Sequence, residues 1–365
     1  MQIDGHHTYT YIAARYGGLS HDDAATVAYA AQYVDEAIHD QPIYFSNGAM
    51  YQRIASAHKM LDYRNLPEIA NHLSWLPFHF LPGNGEYLED EKIDVKERFI
   101  YRLLCAEDSK VVRQLLAYVL GKKGKPYSLH WLGIALHIYA DTFSHQGFAG
   151  VSHVVNRVED LDNLTDQGMD GYFNRIRDNS MAWVVSTFEP LGHGAALSMP
   201  DLPYLKFQYK DGLGRIISRD NTAIFMRAID LMCKVIQCYN SNETIDHLDE
   251  QLGLPEDMKP IIRKKMESFC FEDPDKRHQL WLEEIGQGQL GFENESLHFS
   301  SEGAASWKQQ ARGEGQSMGE FKQLVQYTFS EQFLSSDWKY FHDGLKHIRL
   351  YIVSELLPQY GICVG

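Results

Sequence analysis

The sequence predicts an all-α fold, a multi-helix bundle with long loops and a C-terminal helical extension. Three observations predict it. Apolar residues recur at helical spacing in long stretches near 95–120, 128–146, 215–239 and 321–357. Strand signals are sparse, with only short patches such as 204–209. The 365 residues, 44% of them hydrophobic, supply enough apolar surface for a sizeable core.

The elements follow in order. His6 and His7 lead a first helix over 8–16. Ser20 stands as an N-cap, with Asp22 and Asp23 in the first turn of an alanine-rich helix that runs to about Ile38. Its apolar stripe is Ala24, Val27, Ala28, Ala31, Val34 and Ile38. Asp35 falls on that stripe, an unusual place for a carboxylate. A second helix is expected over 49–61, with His58 one turn after Ile54 and one turn before Asp62. The stretch 75–85 is broken by prolines and glycines and reads as a loop, with Trp75, Phe78 and Phe80 forming an aromatic wall around His79. Residues 286–319 are rich in Gly, Ser, Glu and Gln, the composition of a mobile loop or lid.

The most informative stretch runs from Leu132 to His145. It reads as a buried helix with His137, Asp141 and His145 at i, i+4 and i+8 on one face. Leu132, Ile134, Leu136, Ile138 and Phe143 around them are apolar. A carboxylate and two imidazoles in that setting are costly unless they are paired or bind a metal. The two histidines are separated by roughly 12 Å along the helix axis, too far to grip one ion. Asp141 can instead bridge two ions, one shared with each histidine, which points to a multinuclear site. The apolar pattern is interrupted near 241–244. The chain therefore divides into a helical metal-binding domain, 1–240, and a helical extension, 241–365, packed on it or forming a single domain with it.

Composition narrows the function. A formal charge of -15 argues against a broad electrostatic grip on nucleic acid or anionic membrane. It leaves room for an anionic substrate bound locally, because metal ions reverse the sign of the field in a cleft. The five cysteines form no CxxC pair, which fits a reducing compartment. No signal peptide or transmembrane run is recognisable, and a cytoplasmic location is expected. His21-Asp22 opens a capped helix and His39-Asp40 closes it, so neither dipeptide is placed as a phosphohydrolase motif. The sequence holds no Walker loop, GxGxxG or GxSxG elbow.

The segment Leu132-Gly133-x-x-Leu136-His137-x-x-x-Asp141 resembles the metal helix of the zinc-dependent phospholipases C and the related single-strand nucleases. Other positions match that pattern in order: His6 and His7 before the first helix, Asp35 after Tyr33-Val34, and His58 after Ser56-Ala57. The resemblance covers roughly residues 1–205 and extends to an uncharacterised bacterial branch. It implies an all-helical fold holding two or three zinc ions. Asp35, His58, His137 and Asp141 would hold one zinc, and Asp141 would bridge to another. The family's next histidine lies six residues after the bridging aspartate, where this chain has Gly147, so His145 takes its place. No His-xxx-Glu pair follows, and His153 or His193 supplies the remaining ligand, with Asp201 eight residues after His193. Asp62 orients an imidazole. The family also uses a processed N-terminal tryptophan as a ligand, a role left here to Asp4 with His6 or His7.

The resemblance implies a metal-dependent phosphoester hydrolase in which Asp35 orients the attacking water. The expected substrate is a small phosphoester or a phospholipid, with polymeric nucleic acid disfavoured. Other divalent transition metals accept the same ligands. The alternative is a metal-stabilised helical binding or scaffold protein without catalysis.

Overall fold

In the computed structural model, residues 1–58, 68–89, 98–165, 191–318 and 321–364 are described. Ordered by the chain, a π-helical stretch Asp4–Tyr9 runs directly into α1 (Thr10–Tyr16), followed by α2 (His21–Glu36). Strands β1 (Ile43–Phe45) and β2 (Met50–Tyr51) come next, then α3 (Glu68–Phe78), α4 (Phe99–Arg102), α5 (Lys110–Leu120) and α6 (Ser128–Ser144). Strands β3 (Val158–Asn163), β4 (Lys206–Asp211) and β5 (Ile216–Asp220) precede α7 (Asn221–Ser241), α8 (Met258–Ser268), α9 (Pro274–Gly286) and α10 (Trp307–Arg312). After β6 (Gln316–Met318) and β7 (Phe321–Tyr327), α11 (Asp337–Tyr351) passes through a π-helical stretch, Ile352–Leu356, into α12 (Leu357–Gln359).

The protein is predominantly helical, with long loops and a C-terminal helix, as the sequence predicts; among the described residues two small sheets are added to that frame. The caps explain where the long helices begin. The Ser20 hydroxyl accepts the Asp23 N–H at the start of α2, Ser109 accepts from Val112 at α5, and Asp220 accepts from Ala223 at α7. Asn242 ends α7 in the left-handed region, with φ of 61°.

The ligand-bearing helix α6 lies at the centre, packed on α2, α5, α7 and α11. Gly133 allows its close approach to α2. A Cβ at that position would sit 2.4 Å from the Val27 carbonyl oxygen and 2.6 Å from the Ala30 Cβ. The main buried core joins α6 to residues from both sides of position 240, including Ile236, Trp281, Trp338 and Leu345. A smaller core of Phe80, Phe148, Met199, Leu202, Phe207 and Tyr209 backs the loop that carries His193 and Asp201.

Several local expectations change. Of the helix expected over 49–61, residues 49–58 are not helical, because Asn47-Gly48 makes a hairpin turn between β1 and β2, with Gly48 at φ of 87°, and residues 59–61 lie outside the described residues. Trp75–Phe78 belong to α3 rather than to a loop; Leu76 and Phe78 are drawn into the core, and the helix stops one residue after Pro77. The pattern over 95–120 is divided by the Ser109 cap. Residues 216–220 and 321–327 are strands. Strands β3, β4 and β5 form one antiparallel sheet, while β1 pairs in parallel with β7, Tyr44 lying opposite Gln326. Residues 287–306 lie along α1 and α2. There Arg15 pairs with Glu295 at 2.6 Å, Tyr29 donates to the Ser300 carbonyl at 2.5 Å, and Trp307 stacks on Tyr29.

Candidate metal centre

Helix α6 presents its polar stripe inside an apolar helix. His137 is 0% exposed, Asp141 1% and His145 4%, so none of them can be satisfied by bulk water. The helix ends at His145 against the buried guanidinium of Arg219. Arg219 donates to the carbonyls of Ser144 (2.9 Å), Phe143 (3.3 Å) and Gln146 (3.4 Å). This cation satisfies orphaned carbonyls at the negative end of the helix and fixes the last turn that carries His145.

Among the described residues, three groups bring ligand atoms within 4.8 Å of one another: His6–Asp35–His137, His79–His137–Asp141 and His145–His193–Asp201. The first two share His137. In the second, Asp141 Oδ2 lies 3.2 Å from His79 Nδ1 and 3.3 Å from His137 Nε2. In the third, Asp201 lies 3.3 Å from His145 Nε2 and 3.4 Å from His193 Nε2. The His6 ring stacks on His137, with centroids 3.7 Å apart, and its Nε2 approaches Asp141 Oδ1 at 3.1 Å outside hydrogen-bonding geometry. The Met1 nitrogen bridges the groups, 2.5 Å from Asp141 Oδ1 and 3.2 Å from Asp201 Oδ1.

Four of these imidazoles are oriented in the same way. His137 Nδ1 meets the Ala31 carbonyl at 2.8 Å, His145 Nδ1 that of His79 at 2.8 Å, His193 Nδ1 that of Leu197 at 2.7 Å, and His79 Nε2 that of Ser56 at 3.1 Å. A carbonyl only accepts, so each of these nitrogens carries the proton. In the neutral ring the second nitrogen is then a lone pair, and in all four it faces the carboxylates. The Leu197 carbonyl reaches His193 because Leu197 itself adopts φ of 49°, a conformation that costs a non-glycine residue roughly 1–3 kcal/mol.

The charges agree with the tautomers. Burial lowers His6 and His193 to about 4 and holds His137 well below the usual imidazole range, so these rings are neutral at pH 7. Burial opposes ionisation of Asp141 and Asp201, but the neighbouring imidazoles and the Met1 amine outweigh it, and both carboxyls stay well below the ordinary range. Burial alone would lower the Met1 amine; the two carboxylates more than offset this and push it up to about 10. Lone pairs facing carboxylates repel one another unless a cation lies between them. The Met1 amine shows what the pair Asp141–Asp201 attracts. Mixed imidazole and carboxylate donors suit zinc and other divalent transition metals. Asp35, with 30% of its side chain exposed, is the most accessible carboxylate of the three groups. Burial and the nearby Asp141 charge push it up to about 7.

The residues singled out in the sequence fall as follows. His6, Asp35, His137, Asp141, His145 and His193 lie in the three groups. His7 turns away, its Nδ1 2.8 Å from His278 Nε2. His58 is buried against Ser74, with Nε2 and Oγ 3.3 Å apart. His153 caps a 3-10 turn, accepting the Val155 N–H. Asp62 lies outside the described residues. Asp4 pairs with Arg277, while the Met1 nitrogen lies against Asp141 and Asp201. Two members carried too little weight in the sequence. The sequence pattern sets His79 in an aromatic wall, and it is the end of α3 at Phe78 that brings its ring to Asp141. Asp201 follows His193 through two 3-10 turns, Gly194–Ala196 and Met199–Asp201, so no helical spacing marks the pair.

Residues 1–356 match a family of unknown function (DUF6765). No curated protein and no solved structure matches the chain.

Proposed function

Since the chain belongs to this family of unknown function, its function has to come from the site, and we propose a metal-dependent hydrolase acting on phosphoesters, with two or three zinc ions held by the His/Asp groups. One observation carries the reading. Four imidazoles are locked by backbone carbonyls so that their remaining nitrogens converge on Asp141 and Asp201. The resemblance to the zinc-dependent phospholipases C, in the order His6, Asp35, His137, Asp141, supports the hydrolase class. On this reading residues 1–240 form the metal-holding unit and 241–365 pack on it.

When bound, the ions would supply an acidified water and neutralise charge developing on phosphate oxygens. His6, His79, His137 and Asp141 would hold one part of the cluster and His145, His193 and Asp201 the other. Asp35 orients the attacking water and accepts its proton. With 30% of its side chain exposed it is the carboxylate of the three groups that water and substrate reach most easily. The substrate class is a small phosphoester or a phospholipid. Among the described residues, no helix is long and apolar enough to cross a membrane. Cys105, Cys233 and Cys238 are buried thiols, which supports a cytoplasmic setting.

The near-complete burial of His137 and Asp141 also favours a second reading, in which the metal stabilises a non-catalytic scaffold. Phosphodiesterase assays on zinc-loaded wild type and Asp35→Asn separate the two. The hydrolase reading expects turnover in the wild type and at least about a hundredfold loss in the variant with zinc retained. No turnover on phospholipid, nucleotide and small phosphodiester substrates by zinc-replete wild type favours the scaffold.

A further inference from the structure

The helix α9 contributes no residue to the three His/Asp groups, yet it grips the segment that carries His6. Arg277 and Asp4 are 0% and 1% exposed and form a bidentate pair, Nε to Oδ2 at 2.6 Å and Nη2 to Oδ1 at 3.1 Å. The same guanidinium donates to Gln2 Oε1 at 2.5 Å and to the carbonyls of Phe271 (2.5 Å) and Glu272 (3.0 Å). His278 meets His7 at 2.8 Å. One turn from Arg277, Trp281 meets Tyr9 edge-on, with centroids 5.4 Å apart. Thus Asp4, His7 and Tyr9 of the π-helical stretch face α9, while His6 between them faces Asp35 and His137.

A buried ion pair is weak evidence for stability, because well-packed apolar residues often replace one at no loss. What a bidentate, fully donating guanidinium does supply is a fixed orientation. We infer that Arg277 is a positioning residue for the metal centre: through Asp4 and Gln2 it fixes the segment 1–6 so that His6 reaches Asp35 and His137. The inference rests on the metal reading above. It makes one edge of the centre depend on a helix more than 70 residues beyond Asp201, the last of the grouped residues. The His145–His193–Asp201 group is oriented by the carbonyls of His79 and Leu197 and meets the segment 1–6 through the Met1 nitrogen, 3.2 Å from Asp201, so it loses less than the His6 group when Arg277 changes.

The test is zinc binding by the full chain, titrated with zinc alone after chelator dialysis, for wild type, Arg277→Lys, Arg277→Met, His6→Ala and the Arg277→Met/His6→Ala double variant. Circular dichroism selects the variants that remain folded, and Arg277→Lys keeps the charge and bulk if Arg277→Met does not fold. We expect one class of zinc site to weaken about 10–100-fold in the Arg277 variants, the range for partners that orient ligands, and the other class to weaken distinctly less. His6→Ala should reproduce that loss, and the double variant should add nothing to it. A general structural role would weaken all sites together or add to His6→Ala. Folded Arg277 variants with wild-type zinc affinity, or with uniform loss, overturn the inference while leaving the metal reading intact. Wild-type protein that binds no zinc overturns the metal reading and the inference with it.

Discussion

His137 donates its Nδ1 proton to the carbonyl of Ala31 at 2.8 Å, and this bond ties the ligand helix α6 to its neighbour α2. The contact is possible because Gly133, one turn earlier on α6, lets the two backbones meet. The same bond decides which nitrogen of His137 faces Asp141. Packing and ligand chemistry are therefore set by one helix crossing.

Gly133→Ala tests that crossing. The new methyl would lie 2.4 Å from the Val27 oxygen and 3.1 Å from the Ala31 nitrogen, both backbone atoms, so the helices must separate. We expect a stability loss of about 1–3 kcal/mol in urea unfolding. Zinc affinity should fall about 10–100-fold as His137 loses its orienting partner. Isothermal titration with zinc checks the second effect independently of the first.

Arg219→Met should act at the other end of α6. It leaves the carbonyls of Phe143, Ser144 and Gln146 without their buried donor. Loss of a charged hydrogen-bond partner predicts about 1.5–3 kcal/mol of destabilisation. The zinc site built on His145 should weaken more than the one built on His137, which isothermal titration with zinc reads when Arg219→Met is compared with His145→Ala and His137→Ala.

The pH dependence has a defined sign. Burial lowers His6 and His193 to about 4, against 6.5 for an ordinary imidazole, and holds His7, His137 and His342 well below 6.5. Between about 6.5 and 4 the unfolded chain binds more protons at these residues than the folded one. Their contribution to stability is present above that window and is lost as pH falls through it. Asp35 works in the opposite direction, since its carboxyl is raised from 3.8 to about 7 and the folded state holds the extra proton. Burial raises Glu36 and Glu86 as well and lowers His278 to about 4, so three carboxyls stand against six histidines and the histidines stay in control. The urea midpoint of chelator-treated protein should therefore fall steadily from pH 7 to pH 4.5; a flat or rising midpoint would show that these rings are not buried in the neutral form.

Zinc should stabilise the fold by mass action. At a free concentration a hundred times its dissociation constant, one site adds about 2.7 kcal/mol, provided the unfolded chain does not bind. Thermal unfolding with and without chelator checks this. His137→Ala should abolish most of the difference, because His137 belongs to two of the three groups.

The sequence disclosed those parts of the site that lie on regular helices. His137, Asp141 and His145 announce themselves by their i, i+4 spacing within an apolar helix, and Asp35 by its position on an alanine-rich face. The rest is assembled by turns. His79 lies just beyond the last turn of α3, where Pro77 and the flanking aromatics suggested a loop wall. The pair His193–Asp201 is brought together by two 3-10 turns and a strained Leu197, a geometry that no periodicity encodes. The Met1 nitrogen could not be placed from composition at all. Likewise the Asn47-Gly48 turn was a legible hairpin signal, but the helical spacing of Ile54 and His58 competed with it. In the fold, long amphipathic helices were legible and short strands such as β1 and β7, which pair across most of the chain, were not.

Metal content per chain tests the central claim most directly, measured by inductively coupled plasma mass spectrometry on tag-free wild type and on His137→Ala/Asp141→Ala after zinc loading and dialysis. The account predicts two or more zinc equivalents in the wild type, mostly lost in a variant that stays folded. A wild-type protein that retains no stoichiometric metal after loading would contradict it, and would leave the converging imidazoles and carboxylates as a hydrogen-bonded network around the Met1 amine.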